Sequence, residues 1–451
     1  ELVPVSYAQQ RLWFLGQFEG PSATYNLPAV FRLLGRVDVV ALELALGDLV
    51  GRHEALRTVF RDVDGSPVQV VVPAGGLVLR RRECGEAELD EVVREEVGYT
   101  FDLASELPVR ATLVSLGADD HVLVVLFHHI ATDGESMRPF VRDLSVAYEA
   151  RLSGGVPDWA PLPVQYADYA LWQRQVLGSE EDPDSELSGQ LAFWREALAD
   201  LPVELEYPTD RPRPAVASQR GGGFEVELGA ELHARLDDLA RGTGTTLSMV
   251  VHAALAGLLT RLGAGTDIPI GTPVAGRSDE ALDGLIGFFV NTLVLRTDTS
   301  GDPTFRDILG RVRETSLAAY EHQDVPFERV VEALNPPRSA ARNPLCQIML
   351  QVGTGSGRAG LELPGAEVET VFALGDVAKL DLDLNFQAGV LDDGRPGPLR
   401  AYVGFATDLF DAPTVHRMID RLVRVLEAVA ADPDQRLSAV DLLDQDERRQ
   451  V

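Results

Sequence analysis

Cysteine is scarce in this sequence, with only Cys84 and Cys346 in a chain of 451 residues. The two lie far apart, and neither belongs to a metal-binding motif. So few cysteines exclude a disulfide framework and favour a reducing compartment, and we therefore expect a cytoplasmic protein. Both side chains are interpreted as small core residues rather than reactive thiols.

Long apolar runs and an excess of positive charge are also missing. No run approaches the roughly 18–20 apolar residues of a membrane span. Lys and Arg number 40 against 70 Asp and Glu, and the net charge is −30. Such a chain repels nucleic acid and anionic membranes, so we expect neither as a partner. The chain opens without a signal peptide or an initiator Met, which we interpret as a piece of a longer protein.

The length and the pattern of elements predict a mixed α/β fold. A chain of 451 residues is too long for one ordinary core and suits two lobes. The apolar run His121–Leu126 predicts a strand buried on both faces, and helical spacing predicts a clear helix over 247–262. The run FFVNTLVLR at 288–296 is interpreted as another strand.

The stretch that indicates chemistry is LFHHIATDGES at 126–136. His128 and His129 end the predicted buried strand, and Asp133 and Gly134 follow in a loop that enters a helix. A histidine at a strand end can project into a cleft and accept a proton near neutral pH. Asp133 is too close in the chain to be a remote triad partner, so we interpret it as a structural carboxylate paired with an arginine.

Two competing chemistries are disfavoured by residues that are missing. No GxSxG motif provides a serine nucleophile, so a covalent acyl-enzyme is not expected. Adjacent histidines on a strand point to opposite faces, and no further His or Cys cluster supports a metal site. Direct acyl transfer between two bound substrates, assisted by histidine, is the hypothesis that is left.

The histidine stretch resembles the HHxxxDG motif of condensation domains from non-ribosomal peptide synthetases. Six further stretches resemble the other signature blocks of that family, in the same order: SYAQQRLWFL (6–15), RHEALRTVF (52–60), YADYALW (166–172), IGFFVNTLVLR (286–296), HQDVPFE (322–328) and RSAARNPL (338–345).

The resemblance implies two lobes like chloramphenicol acetyltransferase, arranged as a V-shaped pseudo-dimer around a central tunnel. We assign residues 1–175, which carry the motif, to the N-terminal lobe and 176–440 to the C-terminal lobe. Residues 441–451 would begin a linker to a following domain.

The implied reaction joins two substrates, each held on the phosphopantetheine arm of a carrier domain, with no cofactor bound by the domain itself. An acceptor aminoacyl amine attacks a donor aminoacyl or peptidyl thioester and forms an amide. The expected partners are the upstream donor carrier, the downstream acceptor carrier and an adenylation domain beyond the C-terminal linker.

The resemblance also assigns roles within the motif. His129 would be the catalytic residue, either as base or by positioning the amine, and His128 would support it. Gly134 would let the backbone approach the reacting carbonyl, with its N–H as an oxyanion donor. Asp133 would pair with Arg277, the first choice, or with Arg57.

Three residues are assigned to the substrate tunnel: Asn291, Glu135 and Ser136. Asn291 has an alternative interpretation as a polar residue at a sheet edge. Glu135 stands where many members of the family carry Trp, and its carboxylate would either alter the acceptor pocket or simply be solvated.

The opening PVSYAQQRLWFL is similar to that of condensation domains that take an L-configured donor, and we predict this L-donor type. Two alternatives stay open. An epimerization domain shares the histidine motif, and a non-catalytic docking module shares the fold.

Overall fold

The structure is a computed structural model that describes residues 2–20, 22–75, 77–354, 360–371, 377–391 and 393–443. The chain folds into two compact units. The first takes its described residues from Glu1–Glu186, Ala275–Val290 and Gly357–Ala373, and the second from Leu187–Val274, Asn291–Ser356 and Leu374–Val451. Helices and strands are mixed in both units, and the α/β fold class is confirmed.

The strands are β1 (Leu2–Pro4), β2 (Asn26–Gly35), β3 (Thr58–Val63), β4 (Ser66–Val71), β5 (Leu79–Glu83), β6 (Val109–Gly117), β7 (Asp120–His128), β8 (Gly221–Leu228), β9 (Asp267–Val274), β10 (Asn291–Asp298), β11 (Ile348–Thr354), β12 (Ala366–Val371), β13 (Leu382–Val390) and β14 (Pro396–Ala406). The α-helices are α1 (Tyr7–Glu19), α2 (Val39–Arg52), α3 (Leu89–Val97), α4 (Met137–Leu152), α5 (Tyr166–Leu177), α6 (Glu186–Ala197), α7 (Ala230–Thr243), α8 (Leu247–Arg261), α9 (Phe305–Glu321), α10 (Phe327–Leu334) and α11 (Ala412–Ala431).

The first unit is built on a sheet with the strand order β12-β2-β7-β6-β5. Strand β7 lies in its middle and pairs antiparallel with β2 and β6. Its side chains from His121 to His128 are buried, as its continuous apolar sequence requires. Helices α2 and α4 pack on one face. Strands β3 and β4 form a hairpin that turns at Asp64-Gly65.

The second unit has a sheet with the order β10-β9-β11-β13-β14-β8. The predicted helix over 247–262 is α8, which is buried along almost its whole length against that sheet. The Thr246 hydroxyl caps it by accepting a hydrogen bond from the Met249 N–H.

Three segments differ from the sequence-based assignment. Residues 176–186, 275–290 and the described part of 357–373 belong with the first unit, although the predicted boundary at 175/176 put them in the second lobe. Strand β12 pairs with β2, from Ala366 opposite Gly35 to Val371 opposite Val30, which ties the later segment to the first unit. Of the predicted linker, residues 444–451 lie outside the described part of the chain.

The predicted strand over 288–296 was too long at its start, because β10 begins only at Asn291. The backbone of residues 287–290 makes its hydrogen bonds to side chains of the first unit instead of to a neighbouring strand.

Among the described helices, no single one has the length and apolar character needed to cross a membrane. One pair, α7 with α8, passes that test on length and composition when taken together, but it is bent by 100°.

Acid is expected to destabilise the second unit through His252 on α8. This side chain is fully buried beside the Thr297 hydroxyl, and burial lowers its pKa to about 4. The unfolded chain binds a proton near pH 6.5 and the folded chain does not, so stability is complete above pH 6.5 and falls towards pH 4. The total loss is about 3 kcal/mol. Chemical unfolding at several pH values should show a shallower dependence in His252→Gln, and an unchanged slope between pH 6.5 and 4 would contradict this.

Candidate active site

His129 follows directly on the end of the central strand of the first unit. Strand β7 ends at His128, and residues 129–131 form one short 3₁₀ turn before the loop to α4. The His129 N–H donates to the Tyr25 carbonyl at 2.8 Å, so the strand pairing with β2 fixes the backbone up to the histidine itself. The sheet therefore fixes the position of His129 at the end of its central strand. The His129 side chain is half-buried.

The imidazole of His129 is held in one tautomer. Its Nδ1 lies 2.8 Å from the carbonyl oxygen of Thr132. Because a carbonyl only accepts, Nδ1 carries the proton, and Nε2 is the nitrogen that can accept one. The ring also packs against Phe288, with 4.5 Å between the ring centroids and 55° between the planes.

His128 faces a different environment from its neighbour. It is buried, its Nδ1 accepts a hydrogen bond from the Ile130 N–H at 3.1 Å, and its ring lies near Tyr25 and edge-on to Phe101. The ring thus helps to shape the turn that carries His129, which is a supporting position.

Asp133 is a buried carboxylate that accepts from several donors. Oδ2 accepts from the backbone N–H groups of Phe289 and Val290 at 2.9 and 3.1 Å. Oδ1 accepts from the N–H and hydroxyl of Ser136 at 3.0 and 2.7 Å, and the Arg277 guanidinium lies 3.4 Å away. Asp133 therefore joins the loop after His129 to residues 277–290 of the same unit.

Ser136 has no part in an open channel. Its exposure is 0%, and its hydroxyl contacts Asp133, the Gly287 carbonyl and N–H, and Arg277. A fully buried hydroxyl with so many protein partners cannot line a tunnel, so its assignment there was wrong.

Of the two arginines predicted as partners of Asp133, Arg277 lies beside it. Arg277 is almost buried, its guanidinium also covers the Phe289 ring at 4.1 Å, and it donates to the Leu282 carbonyl. Arg57 instead donates to the Val72 carbonyl and to Glu54.

Asn291 belongs to the second unit and opens the edge strand β10. Its amide N–H₂ donates to the carbonyls of Gln323 and Val325 at 2.8 Å, and its oxygen accepts from the Phe327 N–H. Asn291 thus orders the loop before α10, which corresponds to the alternative interpretation of it as a structural residue at the sheet edge.

Gly134 and Glu135 form the exposed part of the loop. A Cβ on Gly134 would meet no heavy atom within 4 Å, and its φ angle is not in the left-handed region. The fold alone therefore does not require glycine at this position. The Glu135 side chain is solvated.

Three further residues stabilise the site, and they were not among the predicted site residues. Ser6 and Gln9 form a capping box at the start of α1, and the Gln9 amide donates to the Ile130 carbonyl at 3.2 Å. The Tyr166 hydroxyl contacts Ser6 and donates to the Phe288 carbonyl at 2.6 Å. Complete burial raises the Tyr166 pKa well above its usual value, so this donor keeps its proton. The S-x-x-Q spacing of a capping box was the available signal.

Two glycines near the site should respond very differently to alanine. A Cβ on Gly287 would overlap the Tyr166 ring and come within 2.6 Å of Phe289, whereas the space at Gly134 is open. We expect Gly287→Ala to lower the free energy of unfolding by about 1–3 kcal/mol. Gly134→Ala should stay within about 0.5 kcal/mol of the wild type. Denaturant unfolding of both variants checks this, and equal effects would contradict the packing described.

Comparison with known proteins agrees with this fold. The family model described as condensation domain matches residues 1–451. A probable non-canonical nonribosomal peptide synthetase of Salinispora arenicola is 53% identical over 451 residues, which are all of this chain but only 6% of that protein. A dimodular nonribosomal peptide synthase of Bacillus subtilis is 51% identical over 445 residues, 98% of this chain and 19% of that protein. This chain therefore belongs to the condensation-domain family of the nonribosomal peptide synthetases.

Solved structures include close matches over the whole chain. The X-domain from teicoplanin biosynthesis is 40% identical with a TM-score of 0.92, and the match covers 98% of both chains. A complex of the X-domain and OxyB gives 39% identity and the same TM-score, covering 99% of this chain and 97% of that one. The chain spans only a small part of the synthetases that it resembles in sequence.

Proposed function

We propose that this chain catalyses amide-bond formation between two thioester-bound substrates. The observation that carries the proposal is the orientation of His129, whose Nδ1–H is held by the Thr132 carbonyl so that Nε2 is the proton acceptor. The histidine is half-buried at a rigid strand end, where it is accessible and yet positioned.

In the proposed step, the acceptor amine attacks the carbonyl carbon of the donor thioester. A C–N bond forms and the C–S bond breaks, and the donor carrier's phosphopantetheine leaves as a thiolate. His129 Nε2 either takes the proton that the amine loses or positions the amine by accepting a hydrogen bond from it. In both cases the proton ends on the thiolate. The backbone at Gly134, just before α4, would stabilise the negative charge on the carbonyl oxygen.

The proposed partners are an upstream donor carrier domain, a downstream acceptor carrier domain and a neighbouring adenylation domain, all within a cytoplasmic synthetase. The multidomain relatives support this, because the chain matches only one segment of each. The opening block supports an L-configured donor.

A docking module is the second candidate, since one structure with the same fold is an X-domain solved in complex with another protein. The intact sequence His129, Asp133 and Gly134, with Asp133 engaged by Arg277, favours catalysis over docking.

A reconstituted assay with two loaded carriers and this chain tests the proposal. We expect an amide product on the acceptor carrier, measured by mass spectrometry. Exchange of the donor α-proton with solvent deuterium, without amide, would indicate epimerization. If neither amide nor exchange is detected, the docking function is favoured instead. Matched donors that end in an L- or a D-configured residue test the L-donor subtype. Faster turnover of the D form would overturn that subtype.

A further inference from the structure

Residues 285–290, hereafter the 285–290 segment, are held by side chains of the first unit, which bond to the backbone of each residue from 286 to 290. No strand pairing is involved. The contacts are made by Ile286 N–H to His53 Nδ1 at 3.4 Å, Gly287 N–H to the Ser136 hydroxyl at 3.1 Å, the Phe288 carbonyl to the Tyr166 hydroxyl at 2.6 Å, and the N–H groups of Phe289 and Val290 to Asp133 at 2.9 and 3.1 Å.

The side chains that hold this segment are themselves buried and paired. His53 and Asp143 are hydrogen-bonded at 2.9 Å, and both are almost fully buried. Burial lowers the His53 pKa, and although burial alone would raise the Asp143 pKa, hydrogen bonds from His53 and Arg142 lower it to about 2. The lowered pKa of His53 favours its neutral ring, in which Nδ1 can accept the hydrogen bond from the Ile286 N–H.

The two adjacent phenylalanines of this segment have different surroundings. Phe289 is a core residue that packs on Tyr166 and Tyr169 beneath the Arg277 guanidinium. Phe288 is only half-buried and packs at the border of two core clusters, and its ring also lies against His129, at 4.5 Å between centroids. The ring of Phe288 therefore links the core to the histidine.

Phe288 and Thr132 restrain the imidazole of His129 from two directions. The Thr132 carbonyl lies 2.8 Å from Nδ1, and this hydrogen bond restrains rotation of the ring about the Cβ–Cγ bond. Phe288 contacts the ring from the side, which limits how far the imidazole can swing away from that carbonyl. Neither contact alone restricts both motions.

We propose that Phe288 is a positioning residue for His129, and that the 285–290 segment exists to hold its ring there. This inference rests on the proposed function only in taking His129 as the residue that acts. Loss of the Phe288 ring frees the imidazole to leave the Thr132 carbonyl, and the neutral ring then exchanges its Nδ1–H tautomer for Nε2–H, in which Nε2 no longer accepts a proton.

The test compares Phe288→Leu and Phe288→Tyr in the chain labelled with ¹⁵N-histidine. His129 is assigned by the signal that disappears in His129→Gln, and its tautomer is measured at pH 8 without any substrate. We expect Nδ1–H to dominate in the wild type and in Phe288→Tyr, and Nε2–H to gain population in Phe288→Leu. In the amide assay, Phe288→Leu should lose about 10- to 100-fold in kcat, with KM little changed.

The matched control is Phe101→Leu, which also removes a phenyl ring, but one that lies beside the other histidine, His128. It is expected to keep the His129 tautomer. If Phe288→Leu does not fold, Phe288→Met is measured by the same criterion. An unchanged tautomer in the folded Leu or Met variant would overturn the proposal, as would the same change of tautomer in Phe101→Leu. Because the spectrum needs no substrate, an inactive wild type would refute the proposed function and leave this result readable.

Discussion

Replacing His129 with alanine should lower the rate of amide formation by about 10² to 10⁴-fold, the usual contribution of a general base or a well-placed positioning group. The physical reason is that Nε2 is the proton acceptor in the tautomer that the Thr132 carbonyl selects. The fold should survive, since the side chain is half-buried and the hydrogen bond to the Thr132 carbonyl is worth about 1 kcal/mol. Single-turnover kinetics with both carriers loaded measure the loss.

His121→Ala is a matched control for this experiment. It removes an imidazole from the other end of the same strand, β7, where His121 is hydrogen-bonded to the Ser115 hydroxyl. We expect it to lower stability while leaving the rate close to that of the wild type. Full activity in His129→Ala would refute the proposed mechanism, and an equal loss in His121→Ala would assign the effect to folding.

Added imidazole can separate the two roles left open for His129. If the residue accepts the amine proton, imidazole diffusing into the vacated space of His129→Ala should restore part of the rate in a concentration-dependent way. If the residue mainly orients the amine, a freely diffusing base does not replace it, and no rescue is expected.

The local part of this site was predictable from the sequence. The continuous apolar run before His128 predicts a buried strand, and the helical spacing after Met137 predicts the helix, so the loop between them follows. The Asp133–Arg277 contact spans 144 residues and was expected only from the ordered family blocks. Periodicity alone carries no information about which distant segments meet.

The non-local part could not be derived in this way. The apolar run at 288–296 has strand composition throughout, yet residues 287–290 bond to Ser136, Tyr166 and Asp133 instead of a strand. Strand β12 joins β2 across more than 300 residues of sequence. In both cases a tertiary partner overrides the local propensity, and that partner is visible only once the fold is known.

Removal of the Asp133 carboxylate is expected to have the largest effect on stability. Asp133→Ala leaves the Arg277 guanidinium, which is 6% exposed, without its carboxylate, and it also removes the acceptor for the N–H groups of Phe289 and Val290. Breaking a buried ion pair by deleting one partner costs about 3–5 kcal/mol. Denaturant unfolding measures this loss, and the amide-forming rate should fall as well because the 285–290 segment loses two of its attachments.

A double-mutant cycle with Arg277→Met distinguishes an ion pair from a general packing defect. Arg277→Met alone should cost less than Asp133→Ala, because Asp133 keeps its hydrogen bonds from Ser136, Phe289 and Val290. The double variant should be more stable than the sum of the single losses predicts, by about 0.5–3 kcal/mol, since no charge is then left buried and unpaired. The exposed pair of Asp238 and Arg241 is the matched control, and Asp238→Ala should have little effect. Strict additivity of the two site variants would mean that Asp133 acts only through the backbone N–H groups that it accepts from, and that Arg277 stabilises the loop through Leu282 and Phe289 instead.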